Sequence, residues 1–226
     1  MLRVVVGYTP HHLRRGTVEA IRAQAPHAEF VDVSDSPDSY YELFARLWAD
    51  AQDFLLVEHD IIIQSSTVAA LEACPEPWCS CHIRSEEHST GFEAYFQCNR
   101  WRREMMLARP DVPDVPMARR HWGTLDAFLL ARMRGNVHPC IDSTPGPITP
   151  EVRAFEVHPH PDLATTHCSP GLGYSGAITT IREWRELHGE GAVHKPFVDA
   201  DAILAKFRPP DTTLGDGIDA LHELGA

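Results

Sequence analysis

The sequence predicts an α/β fold: a mostly parallel sheet flanked by helices, of the doubly wound kind. Three observations predict it. Strand-like and helix-like segments alternate from Leu2 to Glu58, the order that puts crossover helices between parallel strands. The run Phe54-Leu55-Leu56-Val57 is apolar at every position, as a strand buried on both faces must be. Two carboxylates, Glu58 and Asp60, then fall where that run ends, the rim at which open α/β sheets collect their ligands.

Leu2 to Gly7 reads as the first buried strand. Gly16 to Ala25 follows as a helix with Val18, Ile21 and Ala25 on one face. Phe30 to Val33 is a second strand, closed by the turn-forming Ser34-Asp35-Ser36-Pro37-Asp38. Tyr40, Leu43, Phe44, Leu47 and Trp48 have helical spacing within 40–50 and lead into the strand that ends at Glu58. Beyond Asp60, Ser65 and Ser66 are placed to cap a helix running through Leu71, and Trp78 to Ile83 supplies another strand. Arg100 to Ala108 reads as a helix halted by Pro110, and Leu125 to Met133 as another, with Thr124 as cap and Gly135 as stop. Residues 136–170 are rich in Pro, His and Thr and read as a site-lining loop. Ile178 to Leu187 and Ala200 to Phe207 complete the expected helices. Gly171-Leu172-Gly173-Tyr174-Ser175-Gly176 lacks a phosphate-loop lysine and reads as an acceptor loop or lid.

Composition narrows the class. A chain of 226 residues with 43% hydrophobic and 23% charged residues is that of an ordinary globular protein, large enough for one substantial core. No apolar run approaches the roughly 20 residues that cross a bilayer, and the start is too short for a secretory signal, so a cytoplasmic location is expected. Six cysteines then read as reduced thiols; among them Cys74, Cys79 and Cys81 with His82 form a local group that lacks paired Cys-x-x-Cys knuckles. The net charge of −12 opposes a broad phosphate-binding surface, although Arg100, Arg102, Arg103, Arg119 and Arg120 would suit a local basic groove. The turn Gly7-Tyr8-Thr9-Pro10 has no Gly-x-Gly-x-x-Gly fingerprint, which argues against a dinucleotide dehydrogenase.

The apolar strand ending in Glu58-His59-Asp60 resembles the Asp-x-Asp motif of GT-A glycosyltransferases, with Glu in place of the first Asp. Further segments, Phe96-Gln97-Cys98-Asn99-Arg100-Trp101, His121-Trp122-Gly123-Thr124-Leu125-Asp126, Val157-His158-Pro159-His160 and His167, resemble those of small phage-encoded glycosyltransferase-like proteins over roughly residues 2–170. The resemblance implies one GT-A-like domain over 1–226. Its nucleotide-binding half would be 1–64, and its acceptor-side half with an irregular C-terminal metal and acceptor region 65–226. It implies Mn2+ or Mg2+ held by Asp60, with Glu58 as a second ligand through water or as a partner of ribose hydroxyls. One of His158, His160 and His167 would complete the shell; His158 and His167 are the leading candidates. Tyr8, Thr9, Pro10 and Asp32 would receive the base and ribose, and Asp126 would act as the acceptor-side base. The implied activity moves a hexose from a nucleotide-diphosphate sugar to a hydroxyl acceptor, such as a hydroxymethylated base in phage DNA in the host cytoplasm, with no membrane partner.

Each candidate has a plainer structural role. Asp60 would serve as a helix cap and Glu58 as the partner of an arginine. Asp126 would suit the first turn of a helix whatever its function, and Tyr8 would pack in the core. His158 and His160 alternate, so an extended backbone puts both on one face. Two other functions compete: a zinc hydrolase built from the histidine-rich loop with Asp60 or Asp126, which lacks a His-Glu-x-x-His pair, and a sugar-nucleotide binding module without catalysis.

Overall fold

The computed structural model describes residues 1–81, 97–117, 120, 122–134, 153–160, 163, 165–167, 177–178 and 216–224. A six-stranded sheet runs through its centre in the order β2-β1-β3-β6-β5-β7. These strands are β1 (Arg3–Tyr8), β2 (Glu29–Asp32), β3 (Phe54–Glu58), β5 (Trp78–Ser80), β6 (Cys98–Trp101) and β7 (His158–Pro159). β1 pairs in parallel with β2 and β3, β5 pairs in parallel with β7, and β6 alone runs against its neighbours. A smaller sheet, β4-β8-β9, joins Ile61–Ile63, Thr165–His167 and Ala177–Ile178.

The central sheet is buried on both faces because its strands are apolar at consecutive positions. Val5, Phe54 and Leu56 face one cluster with α2 (Ser39–Asp50), α4 (Arg103–Ala108) and α5 (Trp122–Met133). The intervening Val4, Val6, Leu55 and Val57 face a second cluster with α1 (Arg15–Gln24), α3 (Thr67–Ala73) and the last helix, α6 (Asp216–Leu224). This alternation follows from the two-residue period of a strand. It also decides where Glu58 points, since 58 shares its face with 54 and 56, toward α2 and α5. The α2 stripe read from the sequence is the one that packs: Tyr40, Leu43, Phe44, Leu47 and Trp48 are all buried. Trp101 fills the centre of that cluster, with its ring 5.0 Å from Phe54 and 5.7 Å from Phe44.

Several expectations require correction. Arg100 is not helical: Cys98–Trp101 forms β6, between β3 and β5, and the helix begins only at Arg103. A strand with Asn and Arg at its middle reads as amphipathic, yet all four residues are buried. Arg100, 1% exposed, is tolerated because it donates to the carbonyls of Leu71 and Cys74 at 3.0 Å, to that of Glu76, and to Cys79 Sγ at 2.8 Å. Helix α5 starts before Thr124, which therefore lies inside it and does not cap it. Ser66 occupies the N-cap position of α3 without a side-chain capping bond. The 136–170 segment contributes two strands, β7 and β8, where only loop was expected, and Ile178 belongs to β9 and not to a helix. The 179–187 and 200–207 helices, the 171–176 loop, Gly135 and His82 lie outside the described residues.

Helix α6 was not anticipated. It docks on the start of α1 through Gly217, whose amide donates to the Leu13 carbonyl at 3.1 Å; a Cβ there would lie 2.5 Å from Leu13 Cγ and 2.7 Å from the Leu13 carbonyl carbon. A second close approach, at Gly7, positions the site. A Cβ on Gly7 would stand 2.9 Å from Tyr40 Cε2 and 3.2 Å from Leu43 Cδ2, both on buried side chains. Gly7→Ala is therefore expected to destabilise the fold by about 1–3 kcal/mol and to push Tyr40 away from the strand ends. Urea unfolding checks this, and an unchanged midpoint would show that the α2 contact is loose.

Candidate functional site

Chain order places the site. From β1 the sheet grows outward to β2 on one side and to β3 on the other, so a crevice opens at the carboxyl ends of these strands. In register, Asp32 stands beside Tyr8, and Gly7 beside Glu58. The next residue of each outer strand enters a turn. After β2, the Ser34 amide donates to Asp32 Oδ1 at 2.9 Å, and this turn forms one wall of a cavity of about 540 Å3. Thr9, Pro10, His11 and His12 form the facing wall, and Val33 to Pro37 complete it. Tyr8 and Asp32, paired in register, directly precede the two walls in the chain without lining the cavity themselves. Burial, with the Asp32 charge, raises the Tyr8 phenol above its usual value.

The other side of the crevice is acidic. After β3 the chain turns through His59 and the buried Asp60 before β4 begins. The loop after β1 is fastened to this turn: the Arg14 amide donates to the His59 carbonyl at 3.1 Å, the His12 and His59 rings stack at 5.4 Å, and His12 Nδ1 lies 2.8 Å from Thr9 Oγ1. Asp126, half-buried on α5, completes a group of three carboxylates. Burial, and then the charges of Asp60 and Asp126, hold the Glu58 carboxyl well above the usual carboxylate range, while the polar hydroxyl of Tyr40 partly offsets them. The Tyr40 phenol is itself raised by burial and by the same three carboxylates. Negative charge concentrated this way, away from water, is the environment that a divalent cation relieves, and oxygen donors suit Mg2+ or Mn2+.

The structure therefore brings together Glu58, Asp60 and Asp126, and sets Thr9 and Pro10 on the wall of the cleft, with Tyr8 and Asp32 next to its lining in the chain. The backbone of His167 joins them: it pairs with Ile61, the residue after Asp60. His158 does not. It lies on β7, beyond β6 and β5, about 14 Å from β3 at the usual strand spacing, beside Cys74 and His160. The expected Mn2+ or Mg2+ ligand role of His158 at Asp60 is thus opposed by its place at the far edge of the sheet. Tyr40, His12 and His59 escaped sequence reasoning. Tyr40 reads as a core residue of α2, and the histidines carry a signal only through their proximity to the Thr9-Pro10 turn and the acidic motif.

A larger cavity, about 670 Å3, opens at the amino ends of the strands, lined by Leu2, Asp53, Glu72, Arg100, Arg102 and Arg103 among others. Most of its charges are already committed. Arg102 pairs with Asp53 at 3.0 Å, Glu72 accepts the Leu2 amide at 2.9 Å, and Arg100 is occupied by carbonyls. Of the arginines expected in a basic groove, Arg100, Arg102 and Arg103 line this cavity together. Arg120 stacks on Tyr41 instead, and Arg119 lies outside the described residues. Among the described residues, no helix is long and apolar enough to cross a membrane.

The Glu58 environment has a measurable consequence. A carboxyl raised in the folded state keeps a proton that the unfolded chain has already released, so its contribution to stability falls as pH rises above about 4.5 toward the folded value. Glu58→Gln is expected to remove this slope and to stabilise the metal-free protein at neutral pH by about 0.5–2 kcal/mol. Urea unfolding of both proteins between pH 5 and pH 8 tests this, and parallel pH profiles would refute the crowding of charge.

No family model and no curated protein matches the sequence. Among solved structures, the chain is similar to A197 from STIV, at 9% identity and a TM-score of 0.43, over 74% of this chain and 85% of that one. It is also similar to a glycosyltransferase involved in glycosylation of the major capsid of PBCV-1, at 11% identity and a TM-score of 0.41, over 70% of this chain and 82% of that one. Both are distant likenesses.

Proposed function

We propose that the chain is a metal-dependent glycosyltransferase that moves a hexose from a nucleotide-diphosphate sugar to a hydroxyl acceptor. The observation that carries this reading is the convergence of Glu58, Asp60 and Asp126 beside a cleft of nucleotide size at the carboxyl ends of β1, β2 and β3. Asp60 and Glu58 supply hard oxygen ligands, and His167 is the histidine whose backbone position adjoins them. A bound Mn2+ or Mg2+ would supply Lewis-acid stabilisation of the departing diphosphate.

The remaining steps belong to the chain's own groups. Thr9, Pro10 and Tyr8 bracket the base, and Asp32 accepts from ribose hydroxyls. Tyr40 orients Glu58 through its hydroxyl. Asp126 takes the proton of the acceptor hydroxyl as its oxygen bonds to the anomeric carbon and the bond from that carbon to the diphosphate oxygen breaks. A hydroxymethylated DNA base is one acceptor of this class. Thermal shift with UDP, GDP and their sugars, with and without Mn2+, tests the reading. Stabilisation that requires both nucleotide and metal supports it, and none with any of them overturns it. Release of nucleoside diphosphate on adding acceptor separates an enzyme from a binding module.

A further inference from the structure

A second group of potential metal ligands lies at the other edge of the sheet. Cys74 closes α3: its amide donates to the Ala70 carbonyl at 3.1 Å, and its extended backbone turns the chain toward β5. The side chain is buried. Across from it runs β7, where Cys79 pairs with His158 and the His160 amide donates to the Ser80 carbonyl at 3.2 Å. Because alternate residues of an extended segment share a face, His158 and His160 both turn toward Cys74. Their rings meet edge to face at 5.0 Å, and the Cys74 Sγ and one nitrogen of each imidazole all lie within 4.8 Å of one another.

We propose that Cys74, His158 and His160 bind a zinc ion that staples β7 to the end of α3. One sulfur and two imidazole nitrogens are the borderline-soft donors that Zn2+ selects, in contrast to the oxygen-rich site at Glu58 and Asp60. Around a tetrahedral zinc these atoms stand about 3.3–3.6 Å apart, so small side-chain rotations close the triangle. His158 is exposed and His160 half-buried, which leaves the rotation room and the fourth position open to water. Binding releases the Cys74 thiol proton to solvent, and affinity therefore rises with pH. The staple has a structural purpose, since β7 is only two residues long and lies at the edge of its sheet. The site is independent of the proposed transferase activity.

Titration of the reduced full-length protein with Co2+, followed by displacement with Zn2+, is the test. One equivalent should give a thiolate-to-cobalt charge-transfer band that Zn2+ abolishes, and Zn2+ should raise the melting temperature. Cys74→Ser should lose the band. His158→Ala, at an exposed position that leaves the core intact, should weaken binding at least about a hundredfold. Asp60→Ala should leave the band unchanged. Absence of the band in the wild type, its persistence at full affinity in His158→Ala, or its loss in folded Asp60→Ala would each overturn the assignment.

Discussion

Asp60→Ala is expected to abolish the stabilisation that Mn2+ and a nucleoside diphosphate produce together. Asp60 is 6% exposed and sits at the turn where the central sheet hands the chain to the smaller one, with His167 in register one residue away. A ligand at a hundred times its dissociation constant stabilises a protein by about 2.7 kcal/mol, which for a chain of this size raises the melting temperature by roughly 5–10 °C. The variant should show none of that rise, and transfer should slow by at least about 10²–10³-fold, the usual cost of removing a principal electrostatic group. Asp60→Asn, of nearly equal shape, separates loss of charge from loss of packing: it should unfold like the wild type without ligand yet fail to respond to metal. A wild-type response in either variant would remove the basis for a cation at this turn.

Arg100→Leu is expected to cost about 3–5 kcal/mol, the largest loss of stability among the substitutions considered. The guanidinium donates to three backbone carbonyls where α3 ends and β5 begins, and two of them, those of Leu71 and Cys74, belong to buried residues. Removing the donor leaves the buried Leu71 carbonyl without it, at about 1–3 kcal/mol before relaxation, while the Cys74 carbonyl keeps Arg102, and the space of the guanidinium is filled by a side chain that cannot donate. Burial also depresses the Arg100 pKa, a sign that its charge is held away from solvent. The melting temperature should fall by roughly 10 °C or more. Arg103→Ala, at an exposed position on the same cavity, should change it by about 1–2 °C at most. Equal effects of the two would mean that the carbonyls find water when Arg100 leaves.

These residues also show how far the sequence can be read. The α2 stripe and the apolar β3 were legible because burial of regular elements imposes a period, and a period survives in a single sequence. Glu58 and Asp60 were legible for a related reason: charge at the end of a doubly buried strand has few places to go. β6 was not legible. Its Asn99 and Arg100 look like the polar face of a helix until Trp78 Nε1 is seen to donate to Asn99 Oδ1 at 2.9 Å and the α3 carbonyls are seen to surround Arg100. Strands β7, β8 and β9, of two or three residues, are too short to leave a pattern. They exist because an edge or a neighbouring strand is there to receive them.

The sequence by itself determined a mostly parallel sheet at the centre of the chain, helices on its faces, and an acidic pair at the rim, since all three follow from which positions must avoid water. Only the tertiary structure decided the company those acids keep. Asp126 and Tyr40 reach Glu58 because α5 and α2 pack on the face to which residue 58 points, His167 comes beside Asp60 through strand pairing, and His158 goes to Cys74 at the far edge. Such meetings between distant segments depend on sheet order and register, which no local period encodes.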